Sequence, residues 1–109
     1  MSGGTEHFWH QRISALALVP LGLWFAFAAA SLAGAGHAAT IEFLSRPLNA
    51  LLMIAFIGTA LYHAKLGVQV VIEDYVPRLG QRTALLALNV FFHAGVALAA
   101  ILAMMAMAL

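Results

Sequence analysis

The chain contains no cysteine, and only 8% of its 109 residues are charged. The first absence removes disulfides, cysteine-ligated iron–sulfur clusters and thiol nucleophiles from this polypeptide, and it carries no information about compartment. The second removes an ordinary water-facing surface, because soluble domains carry about 25% charged residues. With a formal net charge of +1 there is neither a basic face for nucleic acid nor an acidic tail, so DNA and RNA are not expected partners. What is abundant is apolar: 64% of the residues are hydrophobic and the mean hydropathy is +0.98. A chain of this length suits one compact unit. The expectation is a single domain, residues 1–109, whose solvent is membrane lipid.

Three apolar stretches are long enough to cross a bilayer, whose hydrocarbon core takes about 20 helical residues. The first runs from about residue 13 to 35 without a charge, and the second, from 47 to 72, is interrupted only by His63, Lys65 and Gln69. Pro47 at its start suits a first helical turn. The third runs from 83 to 109, with Asn89 and His93 as its most polar members. The connections, 36–46 and 73–82, are short, and the second contains the turn formers Pro77 and Gly80. Sequential helices are therefore expected to be antiparallel neighbours, giving an all-α, up-down-up membrane protein. The alanine-rich stretch 94–109 reads as small-residue packing or lipid-facing surface. The first run exceeds a signal-peptide h-region and lacks a strongly basic start, so it is expected to remain in the mature chain.

Arg12, Arg78 and Arg82 flank one side of the membrane and Arg46 the other. The positive-inside rule then puts the N-terminus and the second connection in the cytoplasm, and the first connection and C-terminus in the opposite compartment. Lys65 is close enough to the cytoplasmic end of helix two for its stem to be expected to snorkel that way.

Ionisable groups inside a membrane are costly and mark function by default. His63 follows a long apolar run and lies well within the hydrocarbon. A neutral imidazole there can bind a metal through one nitrogen while the other donates to a backbone carbonyl. Gly67 is one helical turn along the same face, where a missing side chain would admit a flat macrocycle or another helix. Val70 and Asp74 continue the stripe. The competing reading is a histidine hydrogen-bonded between helices, with Gly67 as a packing notch. Helix two ends in Glu73-Asp74-Tyr75-Val76-Pro77-Arg78. This is either a solvated rim with a belt tyrosine or a place where Tyr75 donates its hydroxyl to a quinone carbonyl while Asp74 holds or supplies protons. The segment His7-Phe8-Trp9-His10-Gln11-Arg12-Ile13-Ser14 places aromatics and Arg12 at the entry to helix one. It serves as an interfacial anchor, or Arg12 makes charge-assisted hydrogen bonds to a carboxylate.

The run His63-Ala64-Lys65-Leu66-Gly67-Val68-Gln69-Val70-Val71-Ile72-Glu73-Asp74-Tyr75 resembles the second-helix signature of the hydrophobic membrane-anchor subunits of succinate dehydrogenase: His, Gly four on, then Asp-Tyr. The arginine-bearing segment His7–Ser14 is similar to the N-terminal segment of that family, and the three-helix layout matches along nearly the whole chain. The resemblance implies a four-subunit complex of the bacterial inner membrane. In it a flavoprotein oxidises succinate, an iron–sulfur subunit relays electrons, and two cytochrome b anchors bind haem b and ubiquinone or another quinone. This chain would be the smaller anchor, packed against its partner anchor and with no succinate-oxidising chemistry of its own. The same resemblance implies that His63 is a haem axial ligand, that Arg12 lies near the haem propionates, and that Tyr75, with Asp74 beside it, contacts quinone. His7 and His10 receive no assignment.

An intrachain alternative pairs His63 with His93, which lie at similar distances from the second connection. Directly packed helices are 8–10 Å apart, and a porphyrin ligated from both faces would force them to separate. The expectation is instead that His93 serves interhelical bonding or packing. Two further readings stand beside the electron-transfer anchor: a haem-free fumarate reductase anchor, and a non-catalytic membrane assembly protein.

Overall fold

The computed structural model describes residues 3–108. Among them the chain forms four helices: α1 (Gly3–Leu32), α2 (His37–Ser45), α3 (Pro47–Tyr75) and α4 (Leu79–Ala108). Three of these, α1, α3 and α4, are long and apolar enough to cross a membrane. A helix rises 1.5 Å per residue, so each is about 45 Å long, close to the 49 Å longest dimension of the molecule. The three therefore lie side by side, up-down-up. The middle one is α3, with α1 and α4 each packed along it.

Little of this chain is inside anything. Among the described residues the buried apolar side chains are Ala28, Leu66, Ile72 and Met104, whereas Phe27 and Phe91 are each 75% exposed. Lipid tails are as apolar as these side chains, so the helices associate through packing and interhelical polar bonds rather than through burial from water. Phe25 stacks on Phe56 with ring centroids 4.6 Å apart, joining α1 to α3. Buried Asn89 donates from Nδ2 to the Lys65 carbonyl at 2.9 Å, joining α4 to α3.

The ends of the helices depart from the apolar runs. Helix α1 begins at Gly3 rather than near residue 13, because His7, Gln11 and Ser14 continue its inward stripe at helical spacing and meet α3. Hydropathy delimits the part of a helix that lies in lipid, and packing carries the helix beyond it. Likewise α3 continues to Tyr75 and α4 starts at Leu79, leaving only residues 76–78 between them. Leu109, the last residue of the third apolar stretch, lies outside the described residues.

The first connection contains a helix that hydropathy did not signal. After Leu32 the chain turns through Gly34 and Gly36, at φ 75° and 94°, a region that glycine enters without steric cost. The short α2 follows. Phe43 on it stacks against Trp24 of α1 at 6.2 Å, and Asn49 at the start of α3 donates to the Phe43 carbonyl at 3.1 Å. Thus α2 covers the end of the bundle opposite the α3–α4 turn.

Candidate functional site

His63 sits a little past the middle of α3, half-buried, facing α1. Its Nδ1 is 2.9 Å from the hydroxyl oxygen of Ser14, a residue only 5% exposed. That hydroxyl in turn donates to the Gln11 carbonyl at 3.0 Å. A serine has one proton, and both contacts are satisfied together when the Gln11 carbonyl accepts it. The consistent arrangement is therefore His63 Nδ1–H donating to Ser14 Oγ, which leaves Nε2 with its lone pair. An imidazole held this way presents one basic nitrogen in a fixed direction.

The stripe read from the sequence persists on α3. One turn beyond His63, a methyl group built on Gly67 would meet Gln11 Nε2 at 3.8 Å, an ordinary contact. Packing between α1 and α3 therefore does not demand glycine there. Gly67→Ala is expected to leave membrane accumulation and thermal stability of the chain unchanged within error, measured by in-membrane fluorescence and detergent melting. A clear loss of either would restore Gly67 as a packing notch.

Further along the stripe, Val70 and Asp74 line a cleft with Gly3, Gly4, His7, Gln69 and Glu73. Asp74 thus faces α1. Tyr75, the next residue, turns about 100° away around the helix and is 78% exposed. The pair lies at the end of the bundle about 18 Å along the axis from His63, at 1.5 Å per residue. Arg12 is off the stripe that meets α3: its guanidinium lies over the Phe8 ring, 4.7 Å from the centroid, and is exposed.

His93 donates from Nδ1 to the Asn89 carbonyl of its own helix at 2.9 Å. It opens on a groove between α3 and α4, with Tyr62 and Lys65 across from it. His63 and His93 therefore face different sides of α3 and do not form one site. Among the described residues no group of three or more His, Cys, Asp or Glu could hold a metal ion, and His63 is the one histidine of α3.

Two residues passed over in the sequence emerge here. Tyr62 bonds His10 through its hydroxyl, giving His10 a partner across α1 and α3. Ser14 was legible only as one member of a polar stripe at helical spacing with His7 and Gln11. Lys65 differs from expectation: its ammonium lies 5.4 Å from the Tyr62 ring centroid, one turn back along α3, away from the α3–α4 turn. Side chains on a helix lean toward its N-terminus, so the stem starts in the direction opposite to the nearer membrane face, and the ring offers a cation–π contact on the way. Three buried polar atoms have no partner among the described residues: His7 Nε2, Gln11 Oε1 and Asn89 Oδ1.

Residues 2–103 match the family described as succinate dehydrogenase/fumarate reductase transmembrane subunit. The chain belongs to this family. Relatives bearing the name succinate dehydrogenase hydrophobic membrane anchor subunit include one from Paracoccus denitrificans, 31% identical over 97% of this chain and 81% of its own. Another, from Rickettsia bellii, is 40% identical over 67% of this chain and 58% of its own length. A succinate dehydrogenase membrane anchor subunit of Reclinomonas americana is 33% identical over 78% of this chain and 72% of its own. The match thus spans somewhat over half of the Rickettsia bellii protein and most of the other two. No solved structure matches. The three helices long and apolar enough to cross a membrane agree with membership of a transmembrane-subunit family.

Proposed function

We propose that this chain is a membrane-anchor subunit of a succinate:quinone oxidoreductase, contributing His63 as an axial ligand of haem b and Tyr75 with Asp74 as part of the quinone-reducing site. The observation that carries the reading is His63 itself. It is a histidine within a spanning helix whose Nδ1 is engaged by a buried serine, which leaves Nε2 free to coordinate. The donor set fits a haem with one ligand from this chain and the other from a partner anchor. When bound, haem b supplies one-electron redox chemistry beside the site.

This chain's residues would act on electrostatics and protons. Quinone reduction takes two electrons and two protons. Tyr75, exposed at the end of α3, donates its hydroxyl to a quinone oxygen, a bond that strengthens as negative charge develops there. Asp74, in the cleft with His7 and Glu73, would relay protons between the quinone and water at the membrane edge. The quinone tail meanwhile stays in lipid. Arg12 stands two residues before Ser14 with an exposed guanidinium, suited to charge-assisted bonding with a propionate outside the chain. By the positive-inside rule the end bearing Arg12, Arg78 and Arg82 faces the cytoplasm of a bacterium. The partners are a second cytochrome b anchor, an iron–sulfur subunit and a flavoprotein, which oxidises the succinate.

The test is purification of the native complex from its own membrane in mild detergent. The chain is expected to copurify with a second multi-helix anchor and two soluble subunits, with a low-spin haem b absorption spectrum. A homogeneous, haem-free homo-oligomer would overturn the proposal and favour a non-catalytic assembly protein. A four-subunit complex without haem would point to the fumarate reductase type of anchor.

A further inference from the structure

We propose that Ser14 is a positioning residue for His63, setting the tautomer, ring direction and basicity of the imidazole that binds haem iron. The inference rests on His63 being that ligand. The geometry has two parts. Nδ1 of His63 meets Ser14 Oγ at 2.9 Å, and the serine proton is already committed to the Gln11 carbonyl, one turn back on α1, at 3.0 Å. With that donation in place, Ser14 faces the imidazole as an acceptor. This fixes the proton on Nδ1 and leaves Nε2 as the ligating atom. Because Ser14 is on α1 and His63 on α3, the bond also ties the ring's rotation to the packing of two helices rather than to its own backbone. His93, whose Nδ1 bonds within its own helix, lacks that constraint.

The hydroxyl is buried at 5% exposure, in a bilayer where no water replaces a lost acceptor cheaply. Hydrogen bonding to the outer nitrogen of a metal-bound histidine makes it a stronger electron donor, and loss of such a partner typically costs about 10–100-fold in affinity. A more basic imidazole favours the ferric state over the ferrous, so removing the acceptor raises the haem potential.

The experiment uses the intact four-subunit complex carrying Ser14→Ala, Ser14→Thr or His63→Ala. Alanine is a strong helix former, and threonine keeps an oxygen that can bond back to the preceding turn while accepting from His63. Ser14→Ala is expected to release haem roughly 10–100-fold more readily to an apo-globin acceptor, to raise the haem midpoint potential, and to shift the low-spin ferric EPR signal. Ser14→Thr is expected to restore all three toward native values. On the unsubstituted complex with 15N-histidine, pulsed EPR is expected to show a proton on the remote nitrogen of the axial histidine of this chain. If His63→Ala removes the low-spin signature while Ser14→Ala keeps native release rate, potential and EPR signal, the positioning role is overturned and the ligand stands. If His63→Ala leaves the haem untouched, both fall together. Should Ser14→Ala fail to assemble, an axial histidine with no proton on its remote nitrogen overturns the inference on the native complex, and its presence there with native-like Ser14→Thr supports it.

Discussion

His63→Ala is expected to abolish the low-spin haem b spectrum of the complex, or to convert it to a high-spin form with an open axial position. The substitution removes the one histidine of α3, and the described residues contain no cluster of metal-ligating side chains to take its place. His93→Ala is expected to do much less. Its imidazole bonds within α4 and opens on the groove beside Tyr62 and Lys65, on the other side of α3 from Ser14. Reduced-minus-oxidised difference spectra of the two variants, normalised to the amount of complex, give the comparison. The opposite ranking would transfer the ligand role to His93. Turnover is a poorer readout than the spectrum, because in the proposed complex electrons could pass from an iron–sulfur cluster to quinone without crossing the haem.

Tyr75→Phe is expected to impair quinone reduction while sparing succinate oxidation by a soluble dye that accepts electrons before the membrane. The substitution deletes one hydroxyl and keeps the ring. A donor of the oxyanion type contributes about 3 kcal/mol to a transition state, a factor of about a hundred in rate. Tyr75 is 78% exposed on this chain, and a donor that stays wet or is backed by another contributes less. The expected defect is therefore clear but incomplete, unless partner subunits cover the phenol. Both activities are measured on one preparation. Equal loss in the two assays indicates failed assembly, whereas full quinone reductase activity with native inhibitor sensitivity reduces Tyr75 to an interfacial aromatic.

The separation of these two predictions has a structural basis. Asp74 shares the α1-facing stripe with His63, Gly67 and Val70, while Tyr75 points out of the bundle about 18 Å from His63 along the axis. A change at the tyrosine therefore leaves the histidine's surroundings intact, and the spectrum and the quinone assay report on different ends of one helix. Gly67 stands between them. A methyl there would make only an ordinary 3.8 Å contact with Gln11 of α1, so an intolerance seen in the complex and not in the chain itself would arise from a group outside this chain.

The sequence by itself determined that the chain spans a membrane three times and which polar residues interrupt the apolar runs. Both follow from transfer free energy, which depends on residue type and run length and needs no knowledge of neighbours. The His63, Gly67, Val70, Asp74 stripe was readable too, because helical periodicity is local. Helix ends were not: α1 extends to Gly3 through contacts with α3, and α2 exists because Phe43 finds Trp24. Only the tertiary structure decided what each polar group meets. Ser14 and His63 are 49 residues apart, and hydropathy leaves the rotation of each helix about its axis free. Packing sets that rotation, turning Ser14 toward the imidazole, Arg12 outward over Phe8, and His93 into a different groove from His63.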